Sequence, residues 1–327
     1  MYLKVYFLAM MQYRKLGNTG LNVSILGFGA SPLGDVFDVC DPGVCTSAVH
    51  LAIDYGINFF DVAPFYGITL AESRLGHALK GKRKDILLAT KAGRYGLRDF
   101  DFSYNKIKSS VDESLARLQT DYLDLFQLHD IEFGSREQVL NEAVPALMEV
   151  KKSGKARFVG ITGLPVHYLA DIARVVDVDT VLSWAHYNLL QDEINLELVP
   201  LSIEKGIGLM NAAPLVQRIL SDGVIPSWHN APKEVQAIQP ELLKVCRNFG
   251  VRLSDVALRF AMDHPAIATT IVGMAEPEIV KQNLKAVEFN IPDGLLDELQ
   301  TVIRPVKNRM WYEGMPENNL RLISKRL

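Results

Sequence analysis

Ile86-Leu87-Leu88-Ala89-Thr90-Lys91, a stretch of mixed polarity over 103–118, then Leu123-Asp124-Leu125-Phe126-Gln127-Leu128-His129: this passage decides how the chain folds. Its first and last pieces are short apolar runs with no strict alternation, the pattern of strands covered on both faces. Between them Ile107, Val111, Leu115 and Leu118 fall on one face of a helix. A strand, a helix and another strand in that order predict a unit of parallel strands joined by a helical crossover.

Working outward, the same alternation runs through most of the chain. Further apolar runs occupy 25–29, 58–63, 158–162, 180–185, 208–213 and 269–273, and a second amphipathic stretch, 137–152, aligns Val139, Ala143, Leu147 and Val150. Eight strand-then-helix units with no Pro/Gly/Ser linker and no charge block between halves predict one domain, a closed (β/α)8 TIM barrel. A doubly wound open sheet is the alternative. Ahead of the first run, residues 13–16 and 22–25 flank Asn18-Thr19-Gly20, a hairpin signal placed to plug the N-terminal end of the barrel. One extra helix, Leu295–Ile303, and an irregular tail around Trp311 close the chain.

Composition is that of an ordinary globular protein: 327 residues, 48% hydrophobic and 22% charged, with 35 basic and 38 acidic side chains for a net charge of −3. Such a balance gives no footprint for nucleic acid. Three cysteines, Cys40, Cys45 and Cys246, do not make a disulfide framework and point to a reducing compartment. Residues 1–11 include an apolar run but are too short to span a bilayer and lack a cleavage site, so they read as an extension. The expectation is a cytoplasmic monomer or homodimer acting on a small molecule, without a membrane partner.

Several motifs fail on inspection. The stretch 76–83 nearly spells a phosphate loop, but Arg83 stands where a magnesium-binding hydroxyl belongs, and the stretch follows a helix. Gly27-Phe28-Gly29 begins a dinucleotide fingerprint, yet Pro32 replaces the third glycine and no acidic residue follows about 20 positions on. His129-Asp130-Ile131-Glu132 offers oxygen and nitrogen ligands with no supporting metal spacing, so no metal is expected.

Polar residues that end barrel strands are the first candidates for chemistry. Asp61, Lys91 and His129 end the second, third and fourth runs, and Tyr66 lies five residues past Asp61. Alone, each has a structural explanation; neighbouring strands bring all four to one mouth. Together they form a proton shuttle, in which an ammonium draws the tyrosine pKa down from about 10 toward working pH. Asp61 holds that ammonium, and neutral His129 orients a substrate oxygen. Moving one proton at a carbonyl or hydroxyl becomes redox chemistry only with a hydride carrier, and without flavin or metal signatures that carrier is a nicotinamide.

Over roughly residues 13–307 these residues resemble a known family, the aldo-keto reductases. The likeness is carried by Leu16-Gly17-Asn18-Thr19-Gly20-Leu21, Gly27-Phe28-Gly29, Gly56-Ile57-Asn58-Phe59-Phe60-Asp61 with Tyr66-Gly67, then Glu72, Leu75-Gly76, Ala89-Thr90-Lys91 and Ser114-Leu115 with Arg117-Leu118. The resemblance implies that Asp61, Tyr66, Lys91 and His129 are a catalytic tetrad with Tyr66 as general acid or base. Strings such as Gly29-Ala30-Ser31-Pro32-Leu33-Gly34 and Gly160-Ile161-Thr162-Gly163-Leu164-Pro165 place it nearest members that oxidise aldoses at the anomeric carbon. L-Galactose going to its lactone is the first expectation, with L-fucose and D-arabinose as alternatives.

The resemblance also implies cofactor contacts at Gly29, Ala30, Ser31, Asp61, Thr162, Gly163, Trp184, Ala213, Pro214, Leu215, Arg218, Gly273, Met274, Ala275, Glu276, Gln282 and Asn283. Thr162-Gly163 replaces the usual Ser-Asn pair for the carboxamide, and Trp184 stands ready to stack on the nicotinamide where the usual aromatic is Ala212. The places that grip a 2′-phosphate hold Gly273, Met274 and Ile279, with Glu276 and Glu278 nearby, so NAD is expected over NADP. Tyr66, His129, Asp130, Trp228 and His229 are the expected substrate contacts. A non-enzymatic subunit of the channel-β type and a Schiff-base aldolase using Lys91 are the competing readings; Asp61 and Tyr66 beside that amine argue against the second.

Overall fold

Each apolar run becomes a strand in the computed structural model, which describes residues 11–319. In chain order they are β3 (Leu26–Gly29), β4 (Phe59–Asp61), β5 (Leu87–Ala92), β6 (Leu123–Leu128), β7 (Ala156–Gly163), β8 (Thr180–Trp184), β9 (Gly208–Ala212) and β10 (Ile267–Gly273). β1 (Tyr13–Lys15) and β2 (Asn22–Ser24) precede them as the expected antiparallel hairpin. All eight barrel strands run parallel, and β10 pairs with both β3 and β9, which closes the sheet and excludes the open doubly wound alternative.

The hairpin plugs one end. Leu16 and Val23 are fully buried with Phe59, Ala89, Leu125 and Met210, the side chains that fill the barrel interior. The opposite end, where the strands finish in Gly29, Asp61, Ala92, Leu128, Gly163, Trp184, Ala212 and Gly273, is left for function.

The crossover predicted over 103–118 is a helix at Tyr104–Leu118, entered from Ser103. The stretch 137–152 is less regular. It begins with one turn at Arg136–Gln138, widens to a π-turn over Val139–Ala143 and resumes as α-helix at Val144–Lys152. Pro145 explains the widening, because it brings no N–H to the ladder and its ring crowds the preceding turn.

One buried ionic clamp fixes the strand that matters most. Glu72, on the helix Leu70–Ala78, accepts hydrogen bonds from Thr90 Oγ1 and Arg117 Nε, each at 2.6 Å. A Cβ at Gly76 would lie 2.4 Å from the Arg117 carbonyl, so only glycine lets the two helices approach this closely. Thr90 is thereby tied to two helices, and Lys91 follows it on β5.

Cys40 and Cys45 are bonded to each other, where the cysteine count had suggested reduced thiols; Cys246 is free and buried. The turn made by Asp41, which caps the helix Pro42–Asp54, brings their Cα atoms within 6.4 Å. Among the described residues no helix is long and apolar enough to cross a membrane. The proposed N-terminal extension lies, apart from Met11, outside the described residues.

Candidate active site

Asp61 is the last residue of β4, and Lys91 the fifth of β5; the two strands are neighbours, so both side chains enter the same mouth. Lys91 Nζ donates to Asp61 Oδ1 at 2.5 Å, to the Val62 carbonyl at 3.0 Å and to the Tyr66 hydroxyl at 3.2 Å. Asp61 Oδ2 accepts from Gln127 Nε2 at 3.3 Å. His129 follows β6, its ring edge-on to Tyr66 with centroids 5.6 Å apart. The four residues singled out from the sequence therefore meet in one place.

Tyr66 is held by backbone rather than by side-chain packing alone. Its N–H donates to the Ala63 carbonyl at 3.1 Å. Its peptide lies against Gly34, where a Cβ would stand 2.6 Å from the Tyr66 carbonyl oxygen. Gly67, with φ of +62°, turns the chain back directly beneath.

Burial sets the electrostatics. It opposes the charge on Lys91, but Asp61 and Tyr66 beside it outweigh that, and the amine is held more basic than usual. Burial raises Asp61 above the ordinary carboxylate range despite Lys91. His129, desolvated and close to Lys91 and Arg94, falls to about 3 and is neutral. Tyr66 departs from the sequence reading. Lys91 does pull its pKa down, but desolvation acts more strongly, and the net shift is upward. Such a site presents a phenol poised to give a proton and a permanently charged amine. A charged amine is not a Schiff-base nucleophile.

Against known proteins, the model of the Aldo/keto reductase family matches residues 25–304. The chain belongs to the aldo/keto reductase family. It is 40% identical to L-galactose dehydrogenase of Arabidopsis thaliana over 318 residues, 94% of this chain and 99% of that protein. It is 30% identical to D-threo-aldose 1-dehydrogenase of a Pseudomonas species, covering 86% and 94% of the two chains. Among solved structures, the holo form of an aldo-keto reductase from Bacillus halodurans superposes with a TM-score of 0.75 at 29% identity, covering 93% of this chain and 98% of that one.

Aldo/keto reductases use a nicotinamide cofactor, and the residues at this mouth suit one. Asn283 is buried with its Nδ2 lacking any partner, and the helix Pro277–Glu288 that carries it begins beside Gly273 and Met274. Gly29, Ala30 and Ser31 end β3 and begin the next turn, Thr162 and Gly163 end β7, and Ala213, Pro214 and Leu215 follow β9. Gln282 is half-buried on the same helix as Asn283.

Other expected contacts have commitments of their own. Thr162 Oγ1 accepts the Asp130 N–H at 3.1 Å. Arg218 pairs with Asp38 at 2.8 Å. Trp184 leans on Trp311 with centroids 5.9 Å apart. His229 spends Nε2 on the Val216 carbonyl and Nδ1 on the Ala231 N–H, while Trp228 beside it is half exposed. Glu276 is exposed, and Glu278 pairs with Lys281 at 3.6 Å. Among the described residues no group of acidic, His or Cys side chains is placed to hold a metal.

Two members of the mouth escaped sequence reasoning. Gln127 is hidden inside an apolar run, and only its register opposite Lys91 reveals it. Arg94 lies three residues past Lys91 in a loop where a basic residue reads as solvated.

Proposed function

We propose that this protein oxidises the anomeric hydroxyl of an aldose, L-galactose before others, to the lactone, with NAD as the hydride acceptor. The observation that carries the proposal is Lys91 Nζ bridging Asp61 Oδ1 and the Tyr66 hydroxyl. The identity to L-galactose dehydrogenase over nearly the whole chain supports the substrate class. The related D-threo-aldose 1-dehydrogenase supports L-fucose and D-arabinose as the second reading. NAD rather than NADP follows from the acidic start of the helix Pro277–Glu288, where a 2′-phosphate would meet Glu276 and Glu278.

Gly29, Ala30, Ser31, Thr162, Gly163, Ala213, Pro214, Leu215, Gly273, Met274, Ala275, Gln282 and Asn283 are the residues we assign to holding NAD, with Trp184 as a surface for the nicotinamide ring. NAD, when bound, supplies an acceptor for the hydride on the anomeric carbon. Tyr66, as phenolate, takes the proton of the anomeric hydroxyl; Lys91 stabilises that phenolate, and Asp61 fixes Lys91. Neutral His129 donates to the substrate oxygen and orients it. In the reverse direction the Tyr66 phenol returns the proton to a carbonyl oxygen.

The test is Tyr66→Phe. Titrated by fluorescence quenching, the variant should bind NAD as the native protein does, while its L-galactose-dependent NAD reduction falls by about three orders of magnitude or more. Full turnover in that variant would refute the assignment.

A further inference from the structure

Arg94 is a cation boxed in by rings. Its guanidinium carbon lies 4.0 Å from the centre of Phe65, 5.0 Å from Phe133 and 5.4 Å from Phe100, and Phe100 and Phe133 are themselves stacked at 4.2 Å. Arg94 Nη1 donates to Asp130 Oδ2 at 2.6 Å, and the two side chains keep only 11% and 5% of their exposure. Water kept away by three rings cannot screen this pair, so the carboxylate is held both in place and in charge. Burial opposes that charge, yet His129 and Arg94 beside it keep the Asp130 carboxyl below the usual carboxylate range.

The backbone fixes the same residue from the other side. Asp130 adopts a left-handed conformation, φ 51°, and donates its N–H to Thr162 Oγ1. Asp tolerates this conformation better than most residues, and strain of this kind gathers at functional sites. Asp130 Oδ1, by contrast, accepts no hydrogen bond among the described residues, although almost every other part of the residue is committed. That oxygen keeps access to the mouth, so it is free to accept from a ligand while Oδ2 stays with Arg94.

The place fits one ligand chemistry. Asp130 Oδ2 stands 3.5 Å from His129 Nε2, so the carboxylate and the imidazole sit side by side next to Tyr66, an acceptor and a donor for two neighbouring hydroxyls of a sugar. We infer that Asp130, locked by Arg94, accepts a hydrogen bond from the hydroxyl adjacent to the anomeric one and so selects 2-hydroxy sugars over their 2-deoxy counterparts. Arg94 acts here as a positioning residue, and Asp130 as the specificity-determining contact. The inference rests on the aldose reading above.

Steady-state oxidation of L-galactose and 2-deoxy-L-galactose tests it in the native enzyme, in Asp130→Asn and in the double variant Arg94→Met/Asp130→Asn. The double variant removes both charges, so it stays informative where Asn alone strands a buried Arg94. The native enzyme should prefer L-galactose in kcat/KM by about tenfold to a hundredfold, the range for a hydrogen bond to a charged acceptor. In both variants the two sugars should converge to within about threefold, because only the contact to the 2-hydroxyl has been lost. NAD affinity, read by fluorescence titration, should move by less than about twofold, since no part of the pair is assigned to the cofactor. A merely structural role would lower both sugars equally and leave the preference standing. Preference surviving in a folded variant overturns the inference alone; a native enzyme that oxidises neither sugar overturns the aldose reading and takes the inference with it.

Discussion

Lys91 Nζ stands 3.2 Å from the Tyr66 hydroxyl, and the phenol still titrates above its ordinary value. Desolvation outweighs the ammonium because that ammonium is already shared with Asp61 at 2.5 Å, whose negative charge pushes the phenol back up. At neutral pH Tyr66 is therefore the acid form. Oxidation needs the base form and reduction the acid form, so the two directions should part company with pH. We expect kcat/KM for aldose oxidation to climb about tenfold per unit from pH 7 to 9, and aldehyde reduction to stay flat there. Initial rates in both directions across that range check it; a flat oxidation profile would remove Tyr66 phenolate from the mechanism.

Removing the ammonium should do two separable things. Lys91→Met leaves Asp61 buried without its partner, which costs about 3 to 5 kcal/mol where a buried pair is broken. It also leaves the Tyr66 phenolate without its counter-charge, so turnover should fall by about a thousandfold. The double variant Asp61→Asn/Lys91→Met removes the stranded charge and should recover most of the stability with none of the turnover. Thermal unfolding followed alongside kcat distinguishes the two effects; recovery of turnover in the double variant would contradict the role given to Lys91.

How much of this was legible in the sequence divides along physical lines. Strand and helix periodicity, and the strand-ending positions of Asp61, Lys91 and His129, are local patterns, and each landed where the barrel topology requires. The direction of the Tyr66 shift was not legible, because desolvation depends on what surrounds a side chain in three dimensions. Arg94 was missed for a related reason: the rings of Phe65, Phe100 and Phe133 that enclose it come from three different loops. The same holds for Cys40 and Cys45, whose pairing depends on the turn at Asp41 rather than on the cysteine count.

Gly34 offers a test of how tightly the phenol must be placed. A methyl group there would meet the Tyr66 carbonyl oxygen at 2.6 Å and the Gly67 nitrogen at 2.9 Å, all backbone atoms that cannot rotate away. Gly34→Ala should therefore displace the Tyr66 peptide, and a displacement of about an ångström costs roughly a hundredfold in rate. The prediction is a fall in kcat of that order with the Kd for L-galactose changed far less. A kcat within about twofold of native would show that Tyr66 tolerates the shift.

The proposed preference for NAD over NADP rests on the two carboxylates at the start of the helix Pro277–Glu288. The double variant Glu276→Arg/Glu278→Arg reverses the local charge and frees Lys281 from its pairing with Glu278. Charge-assisted contacts of this kind are worth about a factor of ten each, so the preference for NAD over NADP should narrow by about a hundredfold. The ratio of kcat/KM for the two cofactors measures it directly. An unchanged ratio would place the discrimination elsewhere in the groove.

His129 makes the final prediction, because a buried neutral imidazole links folding to pH. Its folded pKa of about 3 lies below the ordinary value of 6.5, chiefly through desolvation. The unfolded chain therefore binds this proton more readily than the folded one. The contribution is fully in place above pH 6.5 and is lost as the pH falls from there toward 3, by up to about 1.4 kcal/mol per unit. His129→Gln keeps a hydrogen-bonding side chain of similar reach but cannot take the proton. Its urea-unfolding free energy should consequently fall less steeply than that of the native protein between pH 6.5 and 4.5. Equal slopes would mean that His129 gains its proton in the folded state without resistance, and that the ring is not the neutral donor the proposed mechanism requires.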